Sequence, residues 1–221
     1  MASDLKEAVF MGKVTAGVTH DLKNVLAIIR ESAGLMQDLL ALSSNEPFSL
    51  RGKFSETLSR IDSQSSRGAD LVDGLNKFAH LTDHTTATLD LNEVSGQAVL
   101  LSQRFARLRG ITLSVGFQDR PVTIISDPLK IQMLLFECIH ALLNIVGAGA
   151  TISLRTFQRG KGEVSVELSS SGNDGMLKPG ALDLASLPEW TVLQEGARNL
   201  KGRIEPGRPP VWLSLTFAGA A

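Results

Sequence analysis

The stretch "GKVTAGVTHDLKNVLAII", Gly12 to Ile29, holds the decisive pattern of the chain. Its apolar residues follow helical spacing and the run extends to both sides without a proline, from about Leu5 to Leu42. Val14, Val18, Leu22, Val25, Ile29, Ala33, Met36 and Leu40 recur every three or four positions, as along the seam of a coiled coil or helix bundle. At about 100° per residue, His20 lies roughly 160° around the helix from Val18 and Leu22. The ring therefore points away from the seam. Asn24 shares its face one turn on, and Asp21 is its direct neighbour. Ala16, Gly17 and Ala27 are small and nearby, leaving room for a second molecule to approach the imidazole. A neutral imidazole is a nucleophile at cellular pH, and an adjacent carboxylate can orient it and take its proton. An exposed helical histidine is by default a solvated residue; here its neighbours set it apart.

Outward from this segment, "SSNEPFS" interrupts the helix at Asn45 and Pro47. A second periodic run follows through Phe54, Leu58, Ile61, Ser65, Gly68, Val72, Leu75 and Ala79. Two long helices joined by a short turn make an antiparallel hairpin. One hairpin cannot hide both apolar stripes, so two copies are expected to pair as a homodimeric four-helix bundle.

The rhythm changes near Thr82 to Thr88, which places residues 1–84 in a helical domain and 85–221 in a second one. Asp90 or Asn92 is positioned to cap a helix through "EVSGQAVLLSQRFARLR", with Gly110 ending it. "ITLSVGF" and "PVTII" alternate like strands around the turn "QDR". "SDPLKIQMLLFECIHALLNIV" starts with Ser126 or Asp127 as cap and Pro128 in the first turn. "ATISLRTF" and "EVSVELS" read as a hairpin across "QRGKG". A short helix near "LPEWTVLQEGARNL" and a strand in "PVWLSLTF" complete the order, which predicts an α+β sandwich with helices on one sheet face.

Bulk composition narrows the partners. The 221 residues are 43% hydrophobic and 20% charged, with a formal net charge of −1, so no overall field points to nucleic acid or an anionic membrane. The single Cys138 rules out an internal disulfide and suits a reducing compartment. No apolar signal core follows a basic start, and the expected location is cytoplasmic. The most apolar window, Ile131 to Ala150, carries Gln132, Glu137, His140 and Asn144, which favours a buried helix over a bilayer span. "HLTDH" sets His80 and His84 around Asp83, and a solvated turn is expected there rather than a metal site. His140 and Cys138 are expected to be interior residues.

The first helix resembles the phosphoacceptor box of bacterial sensor histidine kinases. The resemblance implies His20 as the phosphorylated histidine, Asp21 as the acid that follows it, and Asn24 as the amide that helps position water for dephosphorylating a partner. Val25 replaces the usual proline, so a weaker helix bend is expected. The second half is similar in element order to the family's ATP-binding sandwich, and "SDPLKIQMLLFECIHALLNIV" resembles its metal-holding helix. The family's chemistry there needs an Asn on that helix for Mg²⁺, an Asp at a strand end for adenine, and glycine-rich lid turns. Phe136 and His140 stand where the two helix asparagines belong, the adenine-reading position falls near Ser170, and "MLKPGALDLASLPEW" lacks paired Gly-x-Gly turns. Asp174 is a displaced substitute.

This pattern resembles a dimeric histidine phosphotransferase of a phosphorelay, a kinase-like hairpin with a degenerate sandwich and no appended sensor or receiver. Phosphoryl would pass between His20 and a receiver-domain aspartate. No metal or nucleotide is expected on this chain, and Mg²⁺ would sit on the partner response regulator, itself fed by an upstream histidine kinase. Docking would involve Ala16, Gly17, Leu22, Lys23 and Ala27, with Leu71, Gly74 and Leu75 of the second helix. The alternatives are a response-regulator phosphatase using Asn24, a non-catalytic dimeric adaptor and, last, an ATP-dependent autokinase.

Overall fold

The computed structural model describes residues 2–42, 51–160, 162–171, 184–207 and 211–220. The expected turn "SSNEPFS", Asp174 and most of the lid segment fall outside them. Contacts divide the chain into two units, residues 11–78 and residues 1–10 together with 79–221.

The first unit is a pair of helices, α1 (Ala2–Leu42, whose first residues belong to the other unit) and α2 (Arg51–Ala79). With valine in place of proline at position 25, α1 keeps its backbone N–H there and runs unbroken through the site. The buried stripe departs from the expected one in phase. Val14, Val18 and Val25 are buried as expected, but farther along α1 the inward positions are Ser32 and Leu39 rather than Ala33 and Leu40. On α2, Thr57 and Leu71 are buried, whereas Leu58 and Val72 are about half exposed. A strict three-four alternation drifts against the 3.6-residue turn. The apolar residues of the two helices therefore fall into one face that closes the hairpin and a second face left open to solvent.

In the second unit, β1 (Ala87–Asp90) pairs antiparallel with β3 (Thr123–Ser126). A separate sheet has the order β2-β4-β5-β7-β6, built from β2 (Thr112–Gly116), β4 (Thr151–Arg159), β5 (Glu163–Ser171), β6 (Arg203–Pro206) and β7 (Val211–Ala218). Only the β2–β4 pair is parallel. Three helices, α3 (Leu91–Arg107), α4 (Pro128–Ile145) and α5 (Glu189–Asn199), share one core with the strands. The molecule is thus a helical hairpin followed by an α/β sandwich, the expected fold class.

The segments "ITLSVGF" and "PVTII" do not pair across "QDR", and one buried side chain explains the divergence. Asn92 donates from Nδ2 to the Arg120 carbonyl (3.2 Å), and its Oδ1 accepts from the Thr156 hydroxyl of β4. The Asp90 carboxylate accepts from the N–H groups of both Asn92 and Val122, at 3.0 Å each. It thereby caps α3 and fixes the start of β3 beside β1. Asp127 caps α4 by accepting from the Lys130 N–H (3.0 Å), with Pro128 in the first turn as expected. Gly110, at φ +66°, ends the α3 region, and the next N–H, of Ile111, reaches back to the Ala106 carbonyl (3.0 Å).

By length and composition α4 could cross a membrane. Its apolar side chains are instead packed in the core, with Leu135, Ile139, Leu142 and Leu143 at zero exposure. Cys138 lies among them, and burial pushes its thiol well above the ordinary range, with Glu137 adding to the effect. Alkylating reagent at neutral pH should leave Cys138 unmodified in the native chain and label it once denaturant opens the sandwich. Labelling that matches a free thiol in native buffer would contradict this packing.

Candidate functional site

One residue step on α1 separates an exposed ring from a buried acid. The His20 side chain is 51% exposed and the Asp21 side chain 5%. His20 Nδ1 is 3.3 Å from Asn24 Nδ2, one turn along the same face, and 3.9 Å from Asp21 Oδ1. The first distance permits a hydrogen bond for one tautomer and amide orientation, and the second exceeds hydrogen-bond length. The expected trio of His20, Asp21 and Asn24 is therefore gathered around one nitrogen of the ring. The other nitrogen, Nε2, lies across the ring.

A fourth residue joins the group from α2. Arg67, with its side chain 38% exposed, brings a guanidinium nitrogen to 4.0 Å from Asp21 Oδ2. The sequence reading did not include it. Its signal was Gly68, correctly placed on the inward stripe of α2. At Gly68 an added Cβ would stand 3.1 Å from Val25 Cγ1. That space lets α2 approach α1 closely, so a residue on the flank of its stripe can reach an acid inside the seam.

The docking residues divide by exposure. Ala16, Lys23 and Ala27 are exposed, while Leu22 and Leu75 are intermediate. Gly17, Leu71 and Gly74 are buried, which corrects their reading as surface. Helix rotation carries these three into the hairpin, and the solvent side of the same stretch of α2 is formed by Val72, Asp73, Asn76 and Lys77.

In the second unit the face of α4 that carries residues 136 and 140 is a packed aromatic group. The Phe136 ring is at zero exposure and stacks on His140, with centroids 4.2 Å apart. Phe105 meets both rings edge-on, at 5.8 Å and 4.7 Å, and Phe10 meets Phe136 edge-on at 5.2 Å. His140 is half-buried within this cluster, close to the interior residue expected. At the position matched to the adenine reader, the buried Ser170 hydroxyl accepts from the Trp212 indole N–H (2.6 Å). Magnesium prefers oxygen donors, and an adenine amine needs an acceptor. The Phe136 ring offers no donor atom, the stacked His140 offers ring nitrogens rather than oxygen, and a hydroxyl engaged by an indole is not the carboxylate an adenine amine would meet. Elsewhere, His80 Nδ1 pairs with Asp83 Oδ2 at 2.7 Å, and among the described residues no cluster of three His, Cys, Asp or Glu side chains is disposed to hold a metal.

With this geometry in hand, the chain can be set beside known proteins. No protein-family model matches it. The sensor histidine kinase ZraS of Salmonella typhimurium is 25% identical over 193 residues, which is 86% of this chain and 39% of ZraS. ZraS of Escherichia coli K12 is likewise 25% identical, over 191 residues. The sequence relatives are sensor histidine kinases. The chain spans about two fifths of the length of the curated relatives it matches. Among solved structures, the Acinetobacter baumannii histidine kinase AdeS aligns with 91% of this chain and 98% of its own, at 14% identity and a TM-score of 0.49. The histidine kinase ThkA, solved in complex with the response regulator protein TrrA, aligns with 97% of this chain and 64% of its own, at 14% identity and a TM-score of 0.48.

The close approach at Gly68 can be tested directly. Gly68→Val should overpack the contact with Val25 and destabilise the hairpin by about 1–3 kcal/mol, read as a lower midpoint of helical unfolding by circular dichroism. An unchanged midpoint would show that the helices do not meet there.

Proposed function

We propose that His20 exchanges a phosphoryl group with the phosphorylated aspartate of a response-regulator receiver domain, and that the sandwich does not use ATP. The observation that carries the second clause is the aromatic packing around Phe136 and His140. The first clause rests on an exposed imidazole whose Nδ1 faces an amide and a carboxylate, which directs Nε2 outward as nucleophile. The Nε2 lone pair attacks phosphorus, the P–N bond forms, and the P–O bond to the receiver aspartate breaks with its electron pair going to that carboxylate. Mg²⁺ held by the receiver offsets the charge on the phosphoryl oxygens. Lys23 and Ala27, with the exposed Asp73, Asn76 and Lys77 of α2, form the docking surface. A second copy covers the open apolar face of the hairpin, where Leu26 and Val72 are 58% and 50% exposed, and the complex works in the cytoplasm.

The relatives favour a second reading, an ATP-dependent kinase that phosphorylates its own His20. Two measurements separate the readings. Mixed with a phosphorylated receiver, the chain should take up label that is acid-labile and is lost in His20→Gln. Titrated with Mg²⁺ and ATP at millimolar concentration, it should show neither binding heat nor label on His20. Saturable nucleotide binding followed by labelling of His20 would establish the kinase and end the ATP-free reading.

Asn24→Ala tests the balance between transfer and phosphatase action. Transfer that survives while receiver dephosphorylation falls tenfold or more would make water positioning the role of Asn24. If neither rate depends on His20, the chain is an adaptor.

A further inference from the structure

We infer that Arg67 is a positioning residue for the phosphoryl transfer. It holds the Asp21 carboxylate between the two helices so that Oδ1 can receive the Nδ1 proton of His20. This rests on the phosphoacceptor reading of His20 and adds to it a residue from the second helix.

The argument starts from the burial of Asp21. A carboxylate with 5% of its side chain exposed has lost most of its water, and an ionised group in that setting needs an opposite charge nearby. Its two oxygens face different helices, Oδ1 toward His20 Nδ1 at 3.9 Å and Oδ2 toward the Arg67 guanidinium at 4.0 Å. Arg67 enters from the rim, 38% exposed, beside the glycine that lets α2 approach α1. Position and charge are thus supplied together.

The proton balance of the transfer explains why this matters. When Nε2 attacks phosphorus, the ring, protonated on Nδ1 in the attacking tautomer with the Asn24 amide turned so that its oxygen rather than its nitrogen faces that proton, becomes a phosphorylated imidazolium. Its Nδ1 proton then passes to Asp21 Oδ1, and the neutral phosphohistidine remains. In the return direction Asp21 gives the proton back, and the P–N bond breaks with its electron pair staying on Nε2. Only an ionised Asp21 can accept that proton, and only a small rotation closes the 3.9 Å gap. Without the guanidinium, Oδ2 loses its contact with the second helix and the carboxylate turns away from the ring, which removes it as acceptor.

The test uses the full chain and a phosphorylated receiver. Arg67→Ala should slow phosphoryl uptake by roughly tenfold to a hundredfold with the KM for the receiver unchanged, and Arg67→Lys should recover most of the rate. Asp21→Asn should be slow as well, and the double variant Asp21→Asn with Arg67→Ala no slower than Asp21→Asn alone. A raised KM, or losses that multiply in the double variant, would make Arg67 a receiver contact and overturn the inference. So would an unaltered rate in Arg67→Ala. Should Arg67→Ala lose helicity, Arg67→Gln keeps the stem and removes the charge, and the same rate comparison applies. Nitrogen-15 spectra of the unphosphorylated chain give an independent readout. The His20 ring signals should move in Arg67→Ala and Arg67→Gln as they do in Asp21→Asn, and static signals would reject the coupling. If the unaltered chain takes up no phosphate, the functional reading fails, and the ring signals still decide whether Arg67 acts on His20 through Asp21.

Discussion

A helix turns about 100° per residue, and on α1 that rotation sends His20 into solvent and Asp21 into the seam. Neither placement is independent of the other. The residue that follows the exposed histidine faces inward, and it is an acid. Burying the charge obliges the second helix to answer it, and Arg67 does so from the rim. The guanidinium can reach because Gly68 lets the backbones close on Val25. The exposed ring, the buried acid, the guanidinium and the glycine form one connected group. Substituting any of them changes the surroundings of the others.

The sandwich shows the opposite economy. Its caps and core keep the fold: Asp90 and Asp127 start α3 and α4, and α4 fills the interior with Leu135, Ile139 and Leu142. The face of α4 with Phe136 and His140 carries rings that stack on each other and meet Phe105 edge-on. A fold's stability lies in packing, while a binding chemistry lies in a few donor atoms. The Phe136 ring adds apolar burial to the unit. Phe10, from the start of α1, adds its ring to the same cluster.

Much of this was legible in the sequence where local rules dominate. Helix caps, the Pro128 start, the hairpin strands around "QRGKG" and the outward histidine all follow from spacing and from single residues with one strong preference. The misses share a physical origin in tertiary contact. β1 and β6 are four-residue strands whose formation depends on their partners. β2 and β3 alternate alike, yet go to different sheets because Asn92 and Asp90 tie the intervening segment elsewhere. The stripes on α1 and α2 drifted out of phase because apolar residues serve two faces, so Leu40, Leu58 and Val72 looked inward on paper and are exposed. At the site, His20, Asp21 and Asn24 are near in sequence and could be grouped. Arg67 lies on the second helix, far along the chain, and only packing reveals its reach.

The interior of the hairpin also bears on assembly. Asp21, Ser32 and Thr57 are buried within it, so part of its inner face contributes no apolar burial and Asp21 costs desolvation. Meanwhile Leu26, Leu35, Leu40, Leu58 and Val72 remain about half exposed or more. A pair of helices with a polar inner layer and an apolar outer face has its free energy on the wrong side for a lone hairpin. Covering those residues with the proposed second copy would add apolar burial at about 25 cal/mol per Å². The same assembly would stiffen α1 and α2 against each other, which is what an acid poised 3.9 Å from a reacting ring requires. The polar layer weakens the hairpin from within, and the proposed association would offset this by covering its exposed apolar residues.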